Sequence, residues 1–388
     1  MNQRPARDII AGSMPPAGPG VLMTIQEQVL SFIHRPGPGR FDSLALDVFR
    51  FQYVAVPAYR RYCDNLGIGP ENLLSPDEIP LVSTVAFKYA SLCAPDSAKL
   101  PGALTFLTSG TTIGRQRRGL HVVARPDLYR ASALSHLRAT MFPDGVRMRM
   151  LAIHPTADGM PESSLSTMIS WCMAEFGQGP SLCAADRLRL DAEAALAFLR
   201  VAAKDAAPVC VLGTTAAYAS IFHQLAARGE AIALPPFSRM MDTGGPKGQM
   251  VALGAGEVVE LAGDLLGIDP AYVINEYGMT ELCSQLYDAT EFNTPGEAAR
   301  ERVKLAAPWM RPLAIDPVTL RHLPEGTPGL LGFIDLANLN SVSAVLTEDF
   351  GMVCEGRVRI LGRAGVGGPR GCALSVAQFE SADLSLTR

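Results

Sequence analysis

The chain lacks long apolar runs, paired cysteines and a concentrated basic region. No stretch reaches the roughly 18 uninterrupted apolar residues of a membrane-spanning helix, and residues 1–20 carry no apolar core of the kind that a secretory signal needs. The eight cysteines form no CxxC pair and no Cys/His spacing suited to tetrahedral zinc. A net charge of −4 argues against a nucleic-acid or anionic-membrane surface. These absences predict a cytoplasmic protein with reduced thiols and without a structural metal.

The sequence does contain enough apolar material for a large core. Of its 388 residues, 48% are apolar and 19% are charged, so one large core or two unequal ones can be buried. Residues 1–20 are rich in proline and glycine and predict a flexible tail. Short strands punctuated by proline then mark the last quarter of the chain. We therefore predict a large domain over residues 21–350 and a short C-terminal piece over residues 351–388.

Strands and helices alternate through the middle of the chain. Apolar runs predict strands at residues 104–107, 148–153, 209–212, 238–241, 272–274, 330–336, 343–347 and 358–361. Helical spacing predicts helices at residues 21–33, 41–53, 127–141, 216–227 and 251–266, with another starting near residue 163. This alternation indicates an α/β layered sheet with ligand loops at the carboxyl ends of its strands.

One loop, rich in hydroxyls and glycine, directly follows the first of these strands. It reads Thr108-Ser109-Gly110-Thr111-Thr112-Ile113-Gly114, and Arg115, Arg117 and Arg118 follow it. Closely spaced backbone N–H groups and hydroxyls suit polyphosphate oxygens, and the arginines add positive charge. The loop lacks the Gly-Lys-Ser/Thr of a Walker motif. It therefore predicts a phosphate site of another kind, and an ordinary turn is the alternative interpretation.

Two further polar motifs lie far downstream. They read Asn275-Glu276-Tyr277-Gly278-Met279-Thr280-Glu281 and Thr347-Glu348-Asp349-Phe350-Gly351. With the glycine pair at 244–245, they contain an aromatic face for adenine, a carboxylate for Mg²⁺ and a carboxylate for ribose hydroxyls. The combination predicts an ATP-binding adenylating site.

The three motifs together resemble the signatures of the acyl-adenylate-forming ligase superfamily. That resemblance implies the superfamily's fold, with a large layered α/β N-terminal domain. It also implies that the ATP phosphates are held by Thr108, Ser109, Gly110, Thr111, Thr112 and Gly114. Ile113 departs from the pattern, because the superfamily usually has glycine there, and no Pro-Lys follows the loop.

The same resemblance implies roles for the downstream residues. Tyr277 is implied to lie against adenine, with Gly278 in the same motif. Thr280 is implied to touch the α-phosphate, and Glu281 to bind Mg²⁺. The remaining implied contacts are Gly244 and Gly245 beside the adenine, Asp349 on the ribose and Arg363 near an interdomain hinge.

Longer stretches resemble one branch, the acyl-protein synthetases of bacterial bioluminescence, also called long-chain-fatty-acid–luciferin-component ligases. The matching stretches are residues 79–88, 275–285, 308–311, 335–338 and 362–372. That branch has a much shortened C-terminal domain, and here the sequence ends 39 residues after Asp349. The resemblance implies that a cysteine near the C-terminus receives the acyl chain as a thioester, and it implies an acyl-reductase as the partner that takes the acyl group on.

Cys372 is the cysteine that matches this acyl acceptor. Glycines surround it, so its loop can swing, and Arg363 and Arg370 favour the thiolate. The alternative is an ordinary buried cysteine. Cys283 is the rival thiol and is expected to pack or to line the pocket, and the six other cysteines are expected in the core.

Two more residues have open interpretations. Lys88 ends one of the matching stretches and is predicted to meet the substrate carboxylate or a phosphate; a solvated lysine is the alternative. His154 follows a strand, where ligand residues occur, but a lone histidine is also a common structural hydrogen-bonding residue.

The predicted function is a two-step ligase that uses ATP and Mg²⁺. It activates a carboxylic acid, with a long-chain fatty acid implied by the resemblance, and passes the acyl group to Cys372. One alternative is a coenzyme A ligase similar to phenylacetate-CoA ligase, without a covalent enzyme step. The other is a non-catalytic nucleotide-binding scaffold descended from a ligase. The oligomeric state is left open.

Overall fold

The computed structural model describes residues 23–108, 118–244, 253–289 and 302–363. Within these ranges the helices are α1 (Ile25–His34), α2 (Arg40–Ala55), α3 (Pro57–Asn65), α4 (Pro126–Met141), α5 (Ser164–Phe176), α6 (Ala192–Lys204), α7 (Thr215–Ala227) and α8 (Ala255–Leu266). The strands are β1 (Val82–Ser83), β2 (Leu104–Leu107), β3 (Leu120–Val123), β4 (Arg149–Ala152), β5 (Leu182–Cys183), β6 (Val209–Thr214), β7 (Arg239–Thr243), β8 (Val273–Tyr277), β9 (Leu286–Asp288), β10 (Val303–Ala306), β11 (Met310–Ile315), β12 (Gly329–Asp335), β13 (Ala344–Cys354) and β14 (Arg357–Arg363). Most strands join one 12-stranded sheet.

One half of this sheet is parallel and follows the predicted alternation of strands and helices. Its strand order is β5-β4-β6-β7-β8, and the helices α5 to α8 connect these strands along the chain. The predicted helices at 127–141 and 216–227 are confirmed to within one residue at each end. Because the carboxyl ends of parallel strands lie at one edge of a sheet, the residues that follow β6, β7 and β8 lie together at that edge.

The other half is antiparallel, in the order β9-β10-β14-β13-β12-β11, and joins the parallel half where β9 pairs with β8. Six strands of the two sheets, β1, β3, β5, β9, β10 and β11, have no counterpart in the sequence prediction. β11 contains Pro312, which lacks an N–H group, yet this strand pairs only with β12 and lies at the edge of the sheet. A proline is tolerated at such an edge because no second neighbour needs its missing donor.

The strands that flank the predicted phosphate loop, β2 and β3, pair with each other as an antiparallel hairpin apart from the large sheet. Thr108 and Gly119 close its end: Gly119 N donates to Thr108 Oγ1 (2.8 Å), and Thr108 N donates to Gly119 O (3.0 Å). A Cβ atom on Gly119 would lie 2.9 Å from Thr108 Cγ2, so glycine permits this close approach.

The N-terminal helices pack on the antiparallel half of the sheet through contacts distant in sequence. β1 pairs in parallel with β13, with Val82 opposite Val345. The buried Gln52 side chain of α2 donates to Asn338 O (2.9 Å) and Leu339 O (3.0 Å) and accepts from Ser343 N (3.1 Å). α1 to α4, the hairpin and both halves of the sheet contribute to one large apolar cluster. None of the described helices combines the length and the apolar character needed to cross a bilayer.

The boundary predicted at residue 350 falls inside β13. This strand continues to Cys354, and β14 pairs with both β13 and β10. Residues up to Arg363 therefore belong to the large sheet. The rest of the predicted C-terminal piece, residues 364–388, and the predicted tail lie outside the described residues, so the division into domains stays a prediction.

Candidate active site

The carboxyl end of β8 carries the Tyr277 motif, and Gly278 is required there by its neighbours. A Cβ atom on Gly278 would lie 2.3 Å from Glu276 Oε1. The Glu276 side chain is buried and accepts a hydrogen bond from the Thr243 hydroxyl at the end of β7. The ends of two adjacent parallel strands are thus joined beneath this glycine.

Tyr277, Asp349 and Arg363 lie together. Tyr277 Oη donates to Asp349 Oδ2 at 2.7 Å. The β13–β14 register sets Arg363 opposite Asp349, with Arg363 Nε 3.9 Å from Asp349 Oδ1 and Nη2 3.2 Å from Glu348 Oε2. Burial and the Asp349 carboxylate raise the pKa of the Tyr277 hydroxyl, so this group stays protonated and donates. Two of the three predicted motifs, together with Arg363, therefore form one cluster.

A buried polar network supports the ends of β7 and β8. Asp242 Oδ2 accepts from Thr215 Oγ1 (3.0 Å) and from Asn275 Nδ2 (2.8 Å). Burial raises the pKa of the Asp242 carboxyl. The positive charge of Arg302, whose Nη1 lies 3.8 Å from Asp242 Oδ1, acts in the opposite direction. Gly244 follows with a φ of +96° and is exposed, a backbone conformation that favours glycine.

Three buried side chains from elsewhere in the chain contact the turn that carries Thr280 and Glu281. His121 of β3 lies with Nδ1 2.6 Å from Thr280 O, and Asn338 Nδ2 donates to Glu281 O at 2.9 Å. Asp335, at the end of β12, accepts from Cys283 N at 2.8 Å. The sequence did not single out these three residues as functional, although residues 335–338 form one of the family-like stretches.

The sequence comparison with known families decides the class of protein. The family described as "Acyl-protein synthetase, LuxE" matches residues 39–380. The chain belongs to this family. Two curated relatives match most of the chain. The long-chain-fatty-acid–luciferin-component ligase of Vibrio harveyi is 23% identical over 350 residues, covering 87% of this chain and 88% of that protein. The enzyme of the same name from Aliivibrio fischeri is 25% identical over 349 residues, covering 87% of each.

Solved structures show the fold. A 2-hydroxyisobutyryl-CoA ligase in the postadenylation state superposes with a TM-score of 0.63 at 16% sequence identity, covering 86% of this chain and 70% of that chain. An open conformation of the same ligase gives a TM-score of 0.61. The predicted acyl-adenylate-forming ligase fold is therefore confirmed. With the family, it makes this protein an acyl-adenylate-forming ligase, an enzyme that activates an acyl group with ATP.

Thr108 and Lys88 lie on the hairpin side of the site. Thr108 is buried at the end of β2, where Arg118 Nε donates to its carbonyl oxygen (2.8 Å). Lys88 is half-buried at the end of the 3₁₀ turn Thr84–Lys88. The preceding residue, Phe87, packs edge-on against the His121 ring, with 5.7 Å between ring centroids. His154 follows β4, with its ring Nε2 3.3 Å from Ser166 Oγ, and burial lowers its pKa to about 4.

The cysteines differ in accessibility. Cys283 is buried, as the sequence predicts, and burial raises the pKa of its thiol. Cys354 is exposed at the end of β13, so the expectation of a core position is wrong for it, because the strand ends at a surface turn. Several predicted site residues lie outside the described residues: Ser109, Gly110, Thr111, Thr112, Ile113, Gly114, Gly245 and Cys372.

Proposed function

We propose that this ligase activates a long-chain fatty acid as its acyl-adenylate and then transfers the acyl group to Cys372. The observation that carries the proposal is the cluster of Tyr277, Asp349 and Arg363, because it joins the predicted adenine and ribose contacts in one place. Thr280 and Glu281 follow Tyr277 on the same turn. The names of the two curated relatives support a long-chain fatty acid as substrate.

In the first step, an oxygen of the fatty-acid carboxylate attacks the α-phosphorus, and the bond to pyrophosphate breaks. Asp349 accepts hydrogen bonds from the ribose hydroxyls, and the Tyr277 ring lies against adenine. The Thr280 hydroxyl donates to the α-phosphate, while residues 108–114 hold the leaving phosphates. These residues act by positioning the reactants and by stabilising charge that develops on the phosphates.

Glu281 fits the role of a Mg²⁺ ligand. Mg²⁺ is commonly held by one or two carboxylates plus substrate phosphates. Glu281 is a buried carboxylate next to the Thr280 hydroxyl, and the described residues contain no group of three or more His, Cys, Asp or Glu that would hold a metal by themselves. The Glu281 carboxylate and the Thr280 hydroxyl suit a Mg²⁺ ion that arrives bound to ATP and neutralises the charge of its phosphates.

In the second step, the Cys372 thiolate attacks the acyl carbon, the carbon–oxygen bond to AMP breaks, and AMP leaves. The products are an acyl-thioester on the enzyme and free AMP, with the thiol proton lost as the thiolate forms. A thioester keeps the acyl group activated, so a partner such as an acyl-reductase can take it directly from the protein.

Replacing Cys372 with serine tests the covalent step. After incubation with ATP, Mg²⁺ and a radiolabelled long-chain fatty acid, we expect hydroxylamine-labile label on the wild-type protein and none on Cys372→Ser. Pyrophosphate exchange, which reports adenylation alone, should be retained in this variant. Cys354→Ser is the matched control, because its thiol is exposed but carries no proposed role. Label that persists on Cys372→Ser would contradict the acceptor assignment, and unlabelled protein with acyl-CoA as product would favour a coenzyme A ligase.

Replacing Asp349 with asparagine tests the ribose contact. We expect the KM for ATP in pyrophosphate exchange to rise about tenfold, since a loss of roughly 1.4 kcal/mol in binding corresponds to that factor, and kcat to change little. Glu348→Gln is the control, because Glu348 also faces Arg363 but lies outside the Tyr277 contact. Equal increases in KM in both variants would argue that only the charge near Arg363 matters.

A further inference from the structure

We propose that His121, Asn338 and Asp335 are positioning residues for adenylation, which fix the turn at residues 280–284 against the β2–β3 hairpin. This inference rests on the proposed roles of Thr280 and Glu281 and on the position of Thr108 at the end of the hairpin. None of the three residues belongs to the three motifs that the sequence indicates as the ATP site.

The first argument is that these side chains hold the backbone of the turn from both sides. His121 contacts Thr280 O, Asn338 donates to Glu281 O, and the two Asp335 oxygens accept from Cys283 N (2.8 Å) and Ser284 Oγ (2.6 Å). All three side chains are fully buried or nearly so, with 0%, 2% and 0% of His121, Asn338 and Asp335 exposed. Water cannot replace these partners in a buried site, so the turn depends on them for its shape.

The second argument concerns the orientation of Asn338. Its amide nitrogen donates to two backbone carbonyls, Glu281 O and Val342 O, each at 2.9 Å. Its amide oxygen therefore faces the other way, toward His121 Nε2 at 2.9 Å. Both ring nitrogens of His121 then face oxygens, one on the turn and one on the loop that carries Asn338. Burial lowers the pKa of this ring, so it is neutral and donates its one N–H to either Thr280 O or Asn338 Oδ1, while it packs against both elements.

The third argument is that His121 belongs to the hairpin. It follows Gly119 by two residues, and Gly119 is bonded to Thr108 at the start of the predicted phosphate loop. Since the hairpin forms a sheet of its own, side-chain contacts such as that of His121 set its position relative to β8. The two sides of the proposed ATP site are thereby kept in register, and a displacement of about 1 Å between reacting groups costs roughly 100-fold in rate.

Asn338→Asp and Gln52→Glu form a matched pair that tests this inference. Each replaces a buried amide by a carboxylate of nearly the same shape, and each amide nitrogen donates to two backbone carbonyls. Gln52 donates to the backbone oxygens of Asn338 and Leu339, whereas the Asn338 side chain contacts the turn at residues 280–284. The pair therefore separates the loss of that side-chain contact from the effect of a charge buried against the same loop. We expect Asn338→Asp to lower kcat for pyrophosphate exchange about 100-fold while the KM for the fatty acid stays within about threefold. Gln52→Glu should stay within about threefold of wild type in both constants, although both variants lower the unfolding temperature.

A second pair covers the case in which Asn338→Asp does not fold. His121→Gln should lower kcat in the same way, whereas His136→Gln should not, because the buried His136 donates from Nδ1 to Gln285 O, which lies beyond the turn. Calorimetric titration of each variant with ATP adds a readout that does not depend on turnover. We expect the Mg²⁺ concentration that supports half-maximal ATP binding to rise for Asn338→Asp and His121→Gln, since both contact the turn that carries Glu281.

The outcomes separate this inference from the proposed function. If activity falls only in proportion to the unfolding temperature, a test variant and its control should lose activity equally. Equal losses in Asn338→Asp and Gln52→Glu, or in His121→Gln and His136→Gln, would overturn the positioning role. A wild-type protein that shows no fatty-acid-dependent pyrophosphate exchange would overturn the proposed function itself. Selective loss in the turn-contacting variants, with active wild-type protein, supports both.

Discussion

Replacing Asp288 with alanine is expected to lower the free energy of unfolding by about 3–5 kcal/mol, because it removes the closest carboxylate from two buried cations. Asp288 is fully buried, with Arg302 Nη1 at 2.6 Å, Lys304 Nζ at 2.7 Å and Asn275 N at 2.7 Å from its carboxylate oxygens. The cost arises from desolvated positive charge that stays inside the protein, rather than from the loss of one contact. Urea unfolding followed by circular dichroism measures it.

Asp47→Ala provides the contrast for this prediction. Asp47 pairs with Arg50 at 2.8 Å, a normal ion-pair distance, but both side chains are about half exposed. An exposed pair of this kind contributes less than about 1 kcal/mol. A similar loss of stability in the two variants would mean that the Asp288 cluster is solvated in the folded protein, against the burial described above.

Replacing Gly278 with alanine is expected to reduce adenylation by on the order of 100-fold. The new Cβ atom would lie 2.3 Å from Glu276 Oε1 and 3.3 Å from Gln285 Cγ. Glu276 cannot simply rotate away, because its carboxylate is buried and holds the Thr243 hydroxyl. The backbone of the Tyr277 motif must move instead, and the proposed contacts to ATP move with it. Pyrophosphate exchange measures the loss in rate.

Gly69→Ala is the control for this substitution. No atom lies within 4 Å of a Cβ placed on Gly69, so the same chemical change should leave exchange and unfolding close to wild type. Full activity in Gly278→Ala would show that the turn tolerates displacement, and it would also weaken the case for positioning by Asn338 and His121.

Most of the parallel half of the fold, apart from β5 and α6, is predictable from the sequence because its signals are local. Strands β4, β6 and β7 are short apolar runs, and α4 and α7 show clear helical spacing, so neighbouring residues define these elements. The missed strands are defined by the strands with which they pair rather than by a pattern in their own residues. β9 has three residues and β10 four, and both become strands through pairing with β8 and β14. β11 contains Pro312, which argues against a strand until its position at the sheet edge is known.

The candidate site divides in the same way. Tyr277, Thr280, Glu281 and Asp349 lie in motifs whose residue order alone suggests adenylate chemistry. His121 and Asn338 carry no such signal, because they act on backbone oxygens that are 159 and 57 positions away in the chain. The sequence offers one hint, a histidine within an otherwise apolar strand, and only the three-dimensional contacts give it a meaning.

The long-range contacts of Gln52 also limit how early the N-terminal helices can reach their final packing while the chain is being synthesised. Gln52 accepts a hydrogen bond from Ser343 N, which lies 291 positions later in the chain. In the same way, β1 cannot pair until β13 has been synthesised. At about 5–20 residues per second, a ribosome needs roughly 15–60 s to make the intervening chain. Through that interval the surfaces of the first helices that pack on the antiparallel strands lack these partners, and contacts so distant in sequence slow folding. The helices α1 to α3 are thus made well before the strands on which they pack.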